Sequence, residues 1–184
     1  MNEEQKRVLL EIARKAIEEE FTKTKLIDRD QLVKEHPWLL EKRAVFVTLN
    51  KNHNLRGCIG SIIPHRALID DLIANAKAAA FSDPRFNPLT AEELPQIELE
   101  ISLLTVPKEL PYTDIEDLKR KIRPGIDGVV LQLNGYQATF LPQVWEDLKT
   151  FEEFFAHLCL KASLPIDCLK YHPKIYTYQA EKIK

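Results

Sequence analysis

The segment Leu55–Gly60 combines residue types that can do chemistry. Its sequence is LRGCIG, and it contains two of the five glycines in the 184-residue chain. Glycine weakens a strand, so its presence there usually marks a bulge or a point where a ligand or another chain comes close. In an extended segment Arg56, Cys58 and Gly60 share one face. Arg56 would then favour the Cys58 thiolate and lower the thiol pKa, and Gly60 would leave space for a substrate.

Two interpretations of Cys58 follow from these residues. In the functional one, Cys58 is an activated nucleophile or redox thiol, and Arg56 holds a negative charge on the substrate. His53 and His65 flank the segment, and either could be the base that such a nucleophile needs. In the structural one, Cys58 is a buried cysteine in a bulged strand and Arg56 pairs with an aspartate, because free cysteine is among the most buried residue types.

A second polar cluster, Asp83-Pro84-Arg85-Phe86, follows a predicted helix. Pro84 and Pro88 restrict the backbone here, so the charged side chains should point in fixed directions. Arg85 would clamp a carboxylate or phosphate while Asp83 orients Arg56. The alternative is that Asp83 and Arg85 only satisfy each other at the end of the helix.

Four residues near the C-terminus have the side chains that zinc prefers: His157, Cys159, Cys168 and His172. The spacing argues against a site, because positions two apart on a helix point about 200° away from each other. His157 and Cys159 therefore cannot face one ion, and Cys159 is expected in the core. The chain has no HExxH, phosphate-binding glycine loop or GxGxxG pattern. The sequence therefore predicts no metal site and no cofactor.

Composition excludes several classes of protein. Apolar residues make up 45% of the chain and charged residues 29%, and 26 Lys plus Arg against 28 Asp plus Glu give a charge of −2. A chain of this length buries roughly 70% of its unfolded surface, so it needs no metal or disulfide to hold a core. Nucleic-acid or acidic-membrane binding through bulk charge is disfavoured. Three cysteines without a CxxC pair, no secretory signal and no apolar run of ~20 residues predict a cytoplasmic protein.

Hydrophobic periodicity predicts alternating helices and strands. An amphipathic helix is expected over Asn2–Lys23, followed by a short helical turn over Asp30–Glu35. The first half continues with a hairpin, a helix and a half-buried strand: Ala44–Leu49 with Leu55–Ile62, then Pro64–Ala80, then Gln96–Leu104.

The second half has strong turn and capping signals. Asp114 is expected to cap a helix that ends at Lys121, and Thr150 with Glu153 to cap one that runs to Ala162. Asn134-Gly135 predicts a hairpin between Gly128–Leu133 and Tyr136–Leu141. A closing strand, Tyr171–Ala180, is placed at a sheet edge because of Pro173.

Two hairpins without a βαβ rhythm predict an α+β fold, with an antiparallel sheet flanked by helices. Proline-bearing stretches mark the places where a subdomain boundary would lie: near residue 37, over 84–95 and over 107–111.

Together these motifs resemble the AMMECR domain family. Leu55–Gly60 followed by Ser61 is similar to the family signature LRGCIG plus a small hydroxyl residue, and Asp83–Phe86 is similar to its second motif, DPRF. Weaker matches are Glu100–Leu104, Gly125–Gly128, Leu141–Val144 and Leu160–Ala162. The resemblance runs from about residue 5 to about residue 178, so residues 1–184 are taken as a single AMMECR domain. One departure is Ser163-Leu164, where the family more often has Gly-Leu.

The resemblance implies two unequal subdomains packed into one compact unit, with the signature near the groove between them. It also implies kinship with the first component of the AmmeMemoRadiSam set, which accompanies a Memo-like protein and a radical S-adenosylmethionine (radical-SAM) protein. It does not imply a settled reaction. The residues that fall in its two specific motifs are the candidate catalytic Cys58 and the candidate binding residues Arg56, Gly57, Gly60, Ser61, Asp83 and Arg85.

Two functions are compatible with this set, so the sequence leaves open whether the protein is an enzyme. The first is a cysteine-dependent enzyme acting on a small anionic substrate or a modified peptide, by acyl or alkyl transfer through a thioadduct or by thiol redox chemistry. The second is a non-catalytic partner or regulatory protein that binds the Memo-like or radical-SAM component. No nucleic-acid or membrane partner is expected, and the sequence does not give the oligomeric state.

Overall fold

The structure, a computed structural model, describes residues 1–184. It has five α-helices, namely α1 Glu3–Thr22, α2 Arg29–Glu35, α3 Leu68–Phe81, α4 Ile115–Lys121 and α5 Phe151–Lys161. It has eight strands, namely β1 Ala44–Lys51, β2 Asn54–Gly60, β3 Ile97–Leu104, β4 Lys108–Glu109, β5 Gly128–Leu133, β6 Tyr136–Phe140, β7 Lys174–Tyr178 and β8 Ala180–Ile183. The strands form two four-stranded sheets, which confirms the predicted α+β class with antiparallel pairing.

The chain divides into two compact units. Unit 1 comprises Met1–Val106 and Glu181–Lys184, and unit 2 comprises Pro107–Ala180. The division after Val106 falls at the start of the 107–111 stretch, whereas residue 37 and the 84–95 stretch lie inside unit 1. The last residues of the chain return to unit 1 because β8 joins β3 in its sheet.

Unit 1 has a sheet of order β2-β1-β3-β8 with α1 and α3 in its core. Period-2 alternation in β1 buries Val45, Val47 and Leu49 against the helices and leaves Phe46 and Thr48 on the opposite face. A capping box formed by Asn2 and Gln5 fixes the start of α1.

The β1–β2 hairpin carries a bulge. Its register shifts between Leu49, which pairs with Gly57, and Asn50, which pairs with Leu55. Arg56 is therefore the extra residue on β2, without a partner on β1. This bulge confirms one reason for suspecting an irregular strand in the glycine-rich segment.

Unit 2 has a sheet of order β4-β7-β5-β6, with α4 and α5 forming its own core. Asn134 and Gly135 have φ of 51° and 84°, the left-handed pair that a tight hairpin requires, which confirms the predicted turn. Trp145 stacks on Phe154 with ring centroids 3.7 Å apart, and its indole N–H donates to the carbonyl of Asp127 at 2.8 Å.

Several expected boundaries differ from the structure. Helix α3 begins at Leu68, not at Pro64, and its start is set by the bridge between Lys42 and Ala67. Strand β7 is not at an edge, because it lies between β4 and β5. Pro173 precedes the first strand residue, so it removes no donor from the ladder.

Cys159 and Cys168 are joined in a disulfide, which the sequence did not predict. Both residues are fully buried, so Cys159 does lie in the core, but as half of a bridge between α5 and the 3-10 turn at Cys168–Tyr171. Since two of the three thiols are paired, cysteine usage no longer argues for a reducing compartment. None of the five helices has the length and the apolar character needed to cross a bilayer.

Candidate functional site

Cys58 lies in the middle of β2, the edge strand of the unit 1 sheet, and is the one free thiol. It is directly opposite Thr48 on β1, which in turn is opposite Glu100 on β3. The Cys58 Sγ and Thr48 Oγ1 atoms are 3.2 Å apart, within hydrogen-bond distance. Glu100 continues the row to β8, with its carboxylate oxygens 3.6 Å from the Lys182 ammonium and 3.7 Å from that of Lys184.

Gly57 is required by the helix behind the strand. A Cβ at this position would lie 2.1 Å from the carbonyl oxygen of Ala79 on α3. Any side chain would therefore push α3 away from the sheet. The close approach predicted for this glycine is made by the protein's own backbone.

Gly60 does not leave the open space that the sequence suggested. Its partner on β1 is Phe46, and a Cβ on Gly60 would lie 2.1 Å from the Phe46 ring. The aromatic ring fills the position above the glycine, as in other antiparallel pairs of this kind. Gly60 thus serves strand packing next to Cys58.

Asp83 connects the second motif to the first. Its buried carboxylate accepts hydrogen bonds from the Cys58 backbone N–H at 3.0 Å and from Arg85 N, Nε and Nη2 at 3.1, 3.1 and 2.8 Å. The Arg85 guanidinium and these N–H donors hold the pKa of Asp83 well below its usual range. Because β2 is an edge strand, this carboxylate also occupies an N–H that would otherwise be open to pairing with another strand.

Arg56 is held by Glu93 and not by Asp83, contrary to expectation. Its Nε and Nη2 donate to the Glu93 carboxylate at 2.9 and 3.1 Å, and Nη2 also donates to the Asn87 carbonyl at 2.8 Å. The guanidinium of Arg56 lowers the pKa of Glu93 to about 2, with help from Lys51 and the Thr90 N–H. The bulge is consistent with this placement, since Arg56 has no paired residue on β1 to fix the direction of its side chain.

Phe86 is close to both motif arginines. Its ring centroid is 5.8 Å from the Arg56 guanidinium carbon and 5.4 Å from that of Arg85. Both are cation–π distances. The arginines of LRGCIG and DPRF therefore share a contact with the aromatic side chain of DPRF, which the sequence alone does not indicate.

The environment of Cys58 does not activate it. Burial raises the pKa of the Cys58 thiol, and the carboxylates of Asp83 and Glu100 act in the same direction. Thr48 and the Arg85 cation lower it, but the net shift is upward. The cation that acts on the thiol is Arg85, whereas Arg56, from which this effect was expected, is paired with the Glu93 carboxylate.

Ser61 belongs to a different polar cluster of unit 1. Its hydroxyl donates to Asp71 at 2.8 Å, and the same carboxylate accepts from Arg66 Nε at 2.7 Å and from the Val45 backbone N–H at 3.0 Å. Asn75 also donates to Ser61 at 3.3 Å. Ser61 therefore fastens the end of β2 to α3, without contact with Cys58.

No histidine contacts the thiol. His53 lies in the exposed hairpin turn with φ of 65°, and His65 is exposed with its Nδ1 atom 3.1 Å from the Ile63 carbonyl oxygen. Near the C-terminus, the disulfide removes the thiolates of Cys159 and Cys168 as zinc ligands. His172 instead stacks on Tyr112, with ring centroids 4.2 Å apart.

Sequence reasoning missed three contributors to the site: Thr48, Glu93 and Glu100. Thr48 and Glu100 could have been found by aligning β1 with β2 and β3, since Cys58, Thr48 and Glu100 lie opposite one another and face the same side of the sheet. Glu93 gave no signal, because its loop position does not specify Arg56 as its partner. Three cavities of about 350, 410 and 420 Å³ lie elsewhere, one between α1 and α2 and two in unit 2.

Comparisons with known proteins agree with this architecture. The AMMECR1 family model matches residues 10–183. A protein of Methanothermobacter thermautotrophicus is 40% identical, over 98% of this chain and 94% of its own length. Protein SSO0193 of Saccharolobus solfataricus is 43% identical, over 91% of this chain and 75% of its own length. The crystal structure of an uncharacterised protein from Pyrococcus horikoshii superposes with a TM-score of 0.86 at 37% identity, covering 99% of this chain and 92% of that one. The chain thus belongs to the AMMECR1 family.

Proposed function

We propose that the protein is a non-catalytic partner or regulatory protein, and that the surface around Cys58 and Arg85 binds a Memo-like or radical-SAM component. The observation that carries this proposal is the charge balance of the two motifs. Each motif arginine is already held by a carboxylate, and the environment of the Cys58 thiol raises its pKa and so favours its neutral form.

A cysteine nucleophile needs the opposite environment. The thiolate is the reactive species, so catalytic cysteines have a lowered pKa or an adjacent base. Here no histidine reaches Cys58, and burial with two carboxylates raises its pKa. The groups around the thiol fix its position without ionising it.

A binding surface needs fixed side chains of the types that contribute most to interfaces. Arginine and aromatic residues are enriched among such positions. Arg85 and Phe86 stack on each other, and Arg85 is 56% exposed although its carboxylate partner is 2% exposed. The side chains are therefore held in place before a partner arrives, which reduces the entropy lost on binding.

The test is association with a purified Memo-like protein encoded in the same genome, and separately with the radical-SAM protein. Arg85→Ala should weaken binding at least about tenfold, as expected when an interface arginine is truncated, whereas Cys58→Ser should bind like the wild type. Arg123→Ala is a matched control in unit 2, because Arg123 is 57% exposed and its partner Asp127 is 3% exposed in a pair of the same geometry. If neither component binds the wild-type protein, the proposal fails.

A cysteine-dependent enzyme acting on a small anionic substrate or a modified peptide is the second candidate. It is favoured by one observation, that the free thiol is not fully buried and that the Arg85 cation acts to lower its pKa. Iodoacetamide labelling of the native protein across pH separates the two, since the disulfide leaves Cys58 as the reactive cysteine. The binding proposal expects labelling only above the ordinary pH range of a thiol, and labelling well below pH ~8.5 would favour the enzyme.

A further inference from the structure

The two motif arginines differ in how much of each guanidinium remains available. Arg56 is 13% exposed and uses Nε and Nη2 on Glu93 and on the Asn87 carbonyl. Arg85 uses Nε and Nη2 on Asp83, and its Nη1 makes no hydrogen bond within the chain. A guanidinium has five N–H donors in a planar fork, so the Nη1 and Nη2 edge of Arg85 can still take a second acceptor with two oxygens.

The free edge of Arg85 is also held rigidly. Asp83 binds the other edge with two hydrogen bonds, and Asp83 is in turn fixed by the Cys58 backbone N–H. The Arg85 guanidinium carbon lies 5.4 Å from the centroid of the Phe86 ring, and that of Arg56 lies 5.8 Å from the same centroid. Arg123 has the same kind of carboxylate clamp but no aromatic ring against it, so Phe86 distinguishes the Arg85 site from a common surface pair.

The side chains paired with the two motif arginines leave a small positive excess, although the chain as a whole carries −2. The cations Lys51, Arg56 and Arg85 stand against the carboxylates of Asp83 and Glu93. Lys182 and Lys184 pair with Glu100 toward the other edge of the sheet and do not belong to this group. The excess of one positive charge, together with a guanidinium edge that carries only donors, favours an anionic group over a neutral one.

We infer that the open edge of Arg85 binds a carboxylate from an acidic segment of a partner protein. This inference rests on the proposed function and names the chemistry of the partner surface. A protein segment is favoured over a small metabolite because the Arg85 side chain is more than half exposed, so its open edge is not enclosed. Small ligands are normally enclosed on most of their surface.

The test is a titration of protein labelled with ¹⁵N-arginine, followed through the side-chain Nε–H signals. The probe is an acetylated and amidated tetraglutamate peptide, with the tetraglutamine peptide and sodium acetate as comparisons. The glutamate peptide should shift the Arg85 signal saturably while the Arg123 signal stays in place. Arg85→Lys keeps the charge but loses the fork, and it should weaken binding about tenfold, as expected for one lost charge-assisted hydrogen bond.

The other outcomes overturn either this inference or the proposed function. Equal shifts at Arg85 and Arg123 would mean general charge attraction, and saturation by acetate as tight as by the peptide would assign a small-anion site. If the peptide fails but a Memo-like protein still binds in an Arg85-dependent way, only the carboxylate inference is lost. If the peptide binds at Arg85 but neither protein component does, the proposed function is lost and the carboxylate site stands.

Discussion

Replacing Gly57 by alanine tests the contact that positions the candidate site. The new Cβ would lie 2.1 Å from the Ala79 carbonyl oxygen and 3.1 Å from its carbonyl carbon. Reaching the 3.4 Å of ordinary contact requires about 1.3 Å of separation between β2 and α3. The obstacle is backbone, so no side-chain rotation can relieve it.

Two opposing effects set the magnitude. Overpacking a core costs about 1–3 kcal/mol, and this case lies at the upper end because a whole helix must move. Alanine also restricts the unfolded chain, which stabilises the protein by about 0.4–1 kcal/mol where the backbone conformation suits it. The net result should be a loss of about 2 kcal/mol in the free energy of unfolding, which corresponds to a fall in melting temperature of roughly 8 °C for a unit of this size.

The assay is urea unfolding followed by circular dichroism, together with the iodoacetamide labelling rate of Cys58 in the native protein. Asp83 lies two residues beyond the end of α3, so displacement of α3 should loosen its bond to the Cys58 N–H and speed labelling. Gly60→Ala is the control, because its Cβ meets the movable Phe46 side chain and Phe46→Leu should relieve it. If the free energy of unfolding of Gly57→Ala were within about 0.5 kcal/mol of the wild-type value, the close approach of Gly57 to the Ala79 carbonyl would be refuted.

Three further predictions concern stability. The lowered pKa of Glu93, about 2 in the folded protein, gives stability that is present above its unfolded pKa of ~4.3 and is lost as pH falls toward 2. The free energy of unfolding of Glu93→Gln should therefore depend less steeply on pH in that window than that of the wild type. An unchanged slope would contradict the pairing of Glu93 with Arg56. Replacing Cys159 and Cys168 together by alanine should cost about 2–3 kcal/mol in urea unfolding, because the bridge closes a loop with a sequence separation of 9; a loss below about 1 kcal/mol would argue against the bridge. Ser163→Gly should stabilise unit 2 by about 1 kcal/mol, since Ser163 has φ of 63° after α5, and a loss of stability would show that its side chain matters more than its backbone.

Local sequence signals predicted the elements well because each depends on neighbouring residues. Asp114 caps α4 and Thr150 caps α5 as expected, each accepting from the N–H three residues later. The Asn134-Gly135 turn was predictable because these two residue types favour the left-handed conformation that a two-residue hairpin turn requires, and both adopt it. Helix α3 begins four residues after its predicted start at Pro64, because its boundary depends on a bridge from Lys42 to Ala67, which local propensity cannot show.

The departure at Ser163-Leu164 has a local explanation. The Leu164 N–H bonds to the Cys159 carbonyl at 2.9 Å and the Ser163 N–H to that of Leu160 at 2.9 Å, which closes the C-terminus of α5. This motif places Ser163 in the left-handed region, where glycine is most stable. The structure therefore gives a physical reason for the glycine that the family more often has at this helix end.

For this protein the sequence alone determined the fold class, most element positions and the two motifs that meet at the site. It could not assign the ion pairs, because a carboxylate's partner depends on which loops converge: Arg56 takes Glu93, and Asp83 takes Arg85 and the Cys58 N–H. It also could not show the pairing of Cys159 with Cys168, which are brought together by the turn after α5. The raised pKa of Cys58 could not be read from the sequence, because the desolvation and nearby charges that set a thiol pKa are properties of the assembled fold.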